Sequence, residues 1–158
     1  MANTQSMCTS FMQELMTGTH NFGTAPVRAS GVADTFKAAL YLASATVDAS
    51  TTVYSSTGEV TGSNYTPGGV VVTNANAPAS TNTSATAGVA YWTPSASITY
   101  TNVTLTTAFD AVLIYNSTQG DKAVSVHTFG SQTVTAGTFT LTMPSNTTST
   151  ALLRLATT

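Results

Sequence analysis

The sequence predicts an all-β fold, an antiparallel β-sandwich or jelly-roll-like domain with one short N-terminal helix. The C-terminal half is a series of β-branched and aromatic runs separated by turn residues, a spacing typical of an antiparallel sandwich. In the run at 138–143, Phe139, Leu141 and Met143 alternate with threonines, which gives one dry and one wet face. The best helix candidate is the stretch from Thr9 to Gly18, because its apolar residues have i, i+3, i+4 spacing.

The predicted helix belongs to an N-terminal segment that precedes the β domain. Thr9 or Ser10 can cap its start, and Gly18 is placed to end it. Its apolar stripe consists of Phe11, Met12, Leu15 and Met16. A helix this short is marginal alone and must lie on its own sheet or on a neighbouring subunit. We therefore expect an N-terminal interface segment, residues 1–32, and a single β-sandwich domain, residues 33–158.

The strands follow from runs with β propensity and alternation. They are predicted at Asp34 to Ala43, Thr51 to Ser55, Val70 to Thr73, Val89 to Thr93, Ile98 to Leu105, Phe109 to Asn116, Ala123 to Phe129, Thr138 to Met143 and Ala151 to Ala156. A change of apolar parity in the fifth run predicts a bulge near Asn102. The segment 116–122 predicts a hairpin loop with Gly120 and Asp121 as its turn. Residues 74–88 are nearly of low complexity and predict a long connection or an extended arm.

The composition is unusually poor in charge. Charged residues make up 6% of the chain, against about 25% in ordinary soluble proteins. A surface of hydroxyls and amides can be buried against a partner without desolvating ions. The composition therefore favours a protein that works inside an assembly, and a Thr-rich β domain without an obligate partner is the alternative.

The distribution of charge and hydropathy argues against nucleic-acid and membrane partners. The four cations are scattered along the chain: Arg28, Lys37, Lys122 and Arg154. Binding to phosphates or to anionic lipids would need a cluster of such residues. The chain has no apolar run long enough for a transmembrane helix and no signal-peptide pattern at its N-terminus. We expect it to be made in a cytoplasm.

The inventory of reactive residues predicts no enzyme, no metal site and no cofactor. The chain has six acids, two histidines and one cysteine, Cys8, and none of them forms a zinc, EF-hand or phosphate-binding motif. A set of Ser125, His127 and Asp110 can be written down, but nothing in the sequence favours it over chance. We expect Cys8 to be a small structural residue.

Four motifs carry a resemblance to a known family. They are SFMQELMTGTHNF, DTFKAALY, EVTGSNY and LIYN. The residues concerned are Phe11, Glu14, Leu15, Gly18, His20, Phe22, Asp34, Phe36, Lys37, Ala39, Leu40, Tyr41, Glu59, Val60, Gly62, Tyr65 and Leu113 to Asn116. In these motifs the chain resembles a family of small structural proteins of tailed bacteriophages. The resemblance covers most of the chain except 74–88 and the last residues.

The resemblance implies a virion structural protein. The leading expectation is a capsid cement or decoration protein on the capsid exterior, bound to the major capsid protein and to copies of itself. The residues expected to bind the partner are Phe11, Met12, Leu15, Met16 and Phe22. One alternative is a protein of the tail, neck or fibre. Another is a β-sandwich that binds host glycans through exposed aromatics, with Tyr91, Trp92 and Tyr100 as candidates.

Overall fold

The computed structural model describes residues 3–16, 18–22, 33–73, 76–81 and 88–156. Its elements are β1 (Ser6–Met7), α1 (Thr9–Met16), β2 (Phe36–Leu42), β3 (Val70–Val71), β4 (Ala79–Ser80), β5 (Val89–Trp92), β6 (Ile98–Asn116), β7 (Lys122–Leu141) and β8 (Leu153–Ala156). The fold is all-β with two antiparallel sheets and one short helix, as predicted.

The larger sheet has the strand order β1-β7-β6-β2-β3, and the smaller sheet has the order β4-β5-β8. The β6–β7 hairpin forms the centre of the larger sheet. Its turn is the predicted one, because Gly120 and Asp121 both have positive φ, at 70° and 59°. Glycine adopts this backbone conformation without strain, and aspartate tolerates it better than most residues.

Strands β6 and β7 are longer than the sequence predicts. The separate runs 98–105 and 109–116 form one strand. The runs 123–129 and 138–143 also join in one strand, which ends at Leu141, two residues before the predicted end. The polar residues between them stay in the ladder because several register shifts absorb the breaks in alternation. One shift lies at the predicted bulge, where Asn102 has a φ of 53°.

An aromatic cluster joins the two sheets. Trp92 of the smaller sheet packs edge-to-face on Phe22 at a ring-centroid distance of 4.7 Å, and Phe22 stacks on Phe36 of the larger sheet at 4.4 Å. All three rings are buried. Aromatic rings at these distances stabilise a core beyond their buried area.

The N-terminal segment packs into this core. Strand β1 pairs with β7, and Cys8 and Phe11 are buried in the same hydrophobic cluster as the sheet residues. Burial raises the pKa of the Cys8 thiol to about 12, so the thiol stays protonated and unreactive. The division of the chain at residue 32 stays a prediction, because 23–32 lie outside the described residues.

Candidate partner-binding site

An open apolar pocket of about 120 Å³ lies between α1 and the smaller sheet. The N-terminal segment contributes Phe11, Leu15 and Phe22 to its lining. Strands β5 and β8 contribute Trp92 and Leu155, among others. Three of the five residues predicted to bind a partner therefore line the same pocket.

The five predicted residues differ in exposure. Phe11 and Phe22 are buried, at 2% and 8% exposure, so in the isolated chain they serve the core. Leu15 is half-buried, and Met12 is 44% exposed. The side chain of Met16 lies outside the described part of the structure. Met12 and Leu15 are thus the members of the set that a partner could touch without rearrangement.

A polar network beneath the helix joins it to the β6–β7 turn. Glu14 Oε2 lies 2.7 Å from Nε2 of His20, and Lys122 Nζ donates to the other Glu14 oxygen at 2.5 Å. Asn116 Nδ2 is 3.0 Å from His20 Nδ1 and donates to Asp34 Oδ2 at 2.8 Å. The network therefore connects three segments that are far apart in the sequence.

Asn116 uses its whole hydrogen-bonding capacity. Its two amide hydrogens go to His20 and Asp34, and its oxygen accepts from the backbone N–H groups of Thr118 and Gln119. Because both of its hydrogens are donated, His20 Nδ1 must be an acceptor. His20 is therefore neutral, with its proton on Nε2 and donated to Glu14.

The pKa values agree with this arrangement. Burial lowers the pKa of His20, although Glu14 and Asp34 act to raise it. Burial acts to raise the pKa of Glu14, but hydrogen bonds from Lys122 and His20 outweigh it and lower that pKa. Glu14 is accordingly ionised and His20 neutral at pH 7.

A second buried carboxylate lies on the far side of β2. Glu59 accepts hydrogen bonds from the hydroxyls of Tyr54 at 2.6 Å and Tyr65 at 2.7 Å, and from the N–H of Gly68 at 2.8 Å. Burial, followed by the bond to Glu59, raises the pKa of Tyr65. The Tyr65 hydroxyl also accepts from the N–H of Leu40. Glu59 thus holds the 54–68 segment together, and Tyr65 joins this segment to β2 through the N–H of Leu40.

These two networks contain residues of the four motifs SFMQELMTGTHNF, DTFKAALY, EVTGSNY and LIYN. They are Glu14, His20, Asp34, Asn116, Glu59 and Tyr65. The sequence reasoning missed both networks, although a signal existed. In a chain with so few ionisable residues, burial of an acid or a histidine requires a specific partner.

The residues of the conceivable catalytic set do not form a triad. Ser125 Oγ lies 2.9 Å from His127 Nε2, but Ser125 is 1% exposed. Asp110 accepts from the amide of Asn3 at 2.6 Å, and no hydrogen bond joins it to His127 in the described structure. Among the residues described, no group of three or more His, Cys, Asp or Glu could hold a metal ion.

The aromatics proposed for glycan binding are largely buried. Trp92 is 3% and Tyr100 2% exposed, so the expectation of an exposed platform is wrong for these two. The indole N–H of Trp92 donates to the carbonyl of Asn76, and the Tyr100 hydroxyl donates to that of Ala38. Tyr91 alone of the three is half-buried.

The described surface carries little charge. Of the charged residues that the structure describes, Arg154 is exposed, the Lys122 side chain is 40% exposed, and the others are buried or half-buried. The chain has no Asp, Glu, Lys or Arg between Glu59 and Asp110 or between Lys122 and Arg154. The exposed positions are occupied mainly by Thr, Ser, Asn, Ala and Gly.

No family model, curated protein or solved structure matches this chain. No helix in the described ranges is long and apolar enough to span a membrane.

Proposed function

We propose that this chain is a non-enzymatic structural protein of a tailed-phage virion, a cement protein that binds the major capsid protein on the capsid exterior. The observation that carries the proposal is the scarcity of charge on the described surface, since residues 60–109 and 123–153 contain no Asp, Glu, Lys or Arg. Such a surface can be covered by a protein partner through many neutral hydrogen bonds, and no ion is desolvated in the process.

The apolar pocket beside α1 supports the same role. Met12, which is exposed, and Leu15, which lines the pocket, provide apolar contact area next to the neutral surface. An apolar centre surrounded by polar, uncharged groups is the usual composition of a protein interface. The N-terminal helix is therefore the proposed contact with the capsid subunit.

The roles of the shared motifs also support a structural protein. Their ionisable residues are used in hydrogen-bond networks that hold the fold together, as Glu14 and Glu59 illustrate. A catalytic group would instead be expected in a cleft with access to substrate. Ser125, hydrogen-bonded to His127, lacks that access.

Immunogold labelling of intact virions tests the proposal. Antibodies against the chain should decorate the head at many positions. Labelling confined to the tail, neck or fibres would replace the cement role by the tail-associated one. Absence of label from intact particles, with the chain present in the infected-cell lysate, would overturn the virion role.

A further inference from the structure

Most of strand β7 is an edge of the larger sheet. Strand β6 pairs with it on one side from Lys122 to Leu141. On the other side β1 pairs only with Ser125 and Val126, and no strand among the described residues pairs with 128–141. The outward N–H and C=O groups of this stretch need water or another strand as partners.

The end of this edge lacks the usual protection against strand pairing. Natural edges carry charged residues, prolines or bulges, and residues 123–143 contain no Asp, Glu, Lys, Arg or Pro. Register shifts interrupt the ladder between Thr128 and Phe139, and Ala136 in this part of the strand has a positive φ of 46°. The last stretch, 139–141, pairs in regular register with β6. It is a regular, uncharged edge.

The same stretch is complementary to itself. Thr138 and Thr140 are exposed, whereas Phe139 and Leu141 are half-buried at the border of the core. In an antiparallel pair about a two-fold axis at Thr140, this residue faces its own copy. Thr138 then faces Thr142, and Phe139 faces Leu141. Threonines meet threonines on one face and apolar residues meet on the other, and such cross-strand pairs stabilise a sheet.

We propose that two copies of the chain form a two-fold dimer by antiparallel pairing of their β7 edges around Thr140, which joins the two larger sheets into one. A second copy fits this edge because a two-fold axis brings neutral residues opposite neutral residues. The second copy also covers Phe139 with its own Leu141, and Leu141 with its own Phe139. The inference goes beyond the proposed virion function, which names the capsid subunit as partner, and it agrees with the sequence-based expectation that the chain also binds copies of itself.

Light scattering on the purified full chain tests the dimer. The wild type should have twice the 16.2 kDa mass of one chain. Thr140→Lys and Thr140→Glu should each be monomeric, because like charges would face each other across the axis. An equimolar mixture of the two variants should regain the dimer mass, because Lys then faces Glu.

Thr99→Lys is the matched control. Thr99 lies beside Thr140 on the same exposed face, with the hydroxyl oxygens 3.4 Å apart, but it belongs to β6, on the side of β7 that is already paired. This variant should remain dimeric, and circular dichroism should show all variants folded. A monomeric wild type would overturn the dimer, whatever the labelling of virions shows. A mass above the dimer, or a dimer unchanged by Thr140→Lys, would overturn the proposed pairing.

Discussion

Asn116 Nδ2 donates a hydrogen bond to His20 Nδ1 at 3.0 Å, across 96 positions of sequence. Both side chains are buried. This contact fixes the N-terminal segment to the β6–β7 turn, because His20 also binds Glu14 of the helix. The position of the proposed partner-binding helix therefore depends on a core amide.

Asn116→Ala should destabilise the fold. The substitution leaves His20 Nδ1 and the N–H groups of Thr118 and Gln119 without their partner. Buried polar groups left unpaired cost about 1–3 kcal/mol each, and relaxation or water offsets part of this, so we expect a loss of about 3 kcal/mol. Urea unfolding measures the change in the free energy of unfolding.

Gln119→Ala is the control for this prediction. The side-chain amide of Gln119, which is half-buried, donates a single hydrogen bond to Asp34 at 3.1 Å. Its removal should therefore lower the free energy of unfolding by less than about 1 kcal/mol. Equal losses for Asn116→Ala and Gln119→Ala would show that the amide does not organise the network as described.

Stability should fall as the pH is lowered below about 6.5, the pKa of histidine in an unfolded chain. Burial lowers the pKa of His20 and lowers that of His127 to about 4, so the unfolded state binds more protons in this range. The stabilisation is complete above the unfolded pKa and is lost as the pH falls towards the folded pKa. Urea midpoints at pH 7.5 and 5 measure the effect.

His127→Gln separates the two histidines. It should remove part of the decrease in stability between pH 7.5 and 5, on the order of 1 kcal/mol, and leave the contribution of His20. Glu14, with its lowered pKa, loses its contribution as the pH falls from about 4.5, the ordinary value of glutamate, towards its lowered pKa, so it contributes little to the change between pH 7.5 and 5. A wild type with equal stability at both pH values would contradict the lowered pKa values of these two histidines.

Tyr65→Phe should cost about 1–3 kcal/mol. The hydroxyl donates to Glu59 and accepts from the N–H of Leu40, so its removal leaves two buried groups with one bond fewer. Tyr91→Phe alters a half-buried tyrosine on the smaller sheet and should change stability by less than about 0.5 kcal/mol. Thermal unfolding compares the two, and equal melting temperatures would count against the Glu59 network.

Substitutions in the N-terminal helix should lower incorporation into particles. Met12→Asp and Leu15→Ala should both reduce occupancy, because they remove apolar area from the proposed contact. Phe11→Ala should reduce occupancy too. Because Phe11 is buried, this substitution should also destabilise the fold by about 3–5 kcal/mol, so the variant does not separate binding from stability.

Val71→Asp is the control for the helix variants. Val71 is exposed like Met12, at 61%, but it lies on β3 at the opposite edge of the larger sheet from β1. Its occupancy on virions, measured by mass spectrometry, should match that of the wild type. Unchanged occupancy for a folded Met12→Asp variant would remove the helix from the proposed interface.

Local patterns in the sequence predicted the parts of the fold that depend on local chemistry. The helix, the Gly120–Asp121 turn and the bulge at Asn102 follow from capping, φ preferences and side-chain parity. The continuity of β6 and β7 could not be predicted, because polar residues between the apolar runs are retained by pairing across the hairpin. Long-range pairing leaves little trace in the alternation of one strand.

The candidate site was predictable only in part. The stripe of Phe11 and Leu15 could be seen in the sequence, but its place in one pocket with Trp92 and Leu155 depends on how the two sheets pack. The exposure of Trp92 was predicted wrongly, because the sequence around a single tryptophan does not distinguish a core position from a surface position. The network around Asn116 joins residues from three distant segments, so no local pattern indicates it.

The most direct test of the virion function is the copy number of this chain in purified virions, measured by quantitative mass spectrometry against the major capsid protein. The proposal predicts one copy per capsid subunit or a simple fraction of that number, because a cement protein follows the symmetry of the shell. A few tens of copies or fewer would contradict the cement role, and complete absence from virions would contradict the structural role itself.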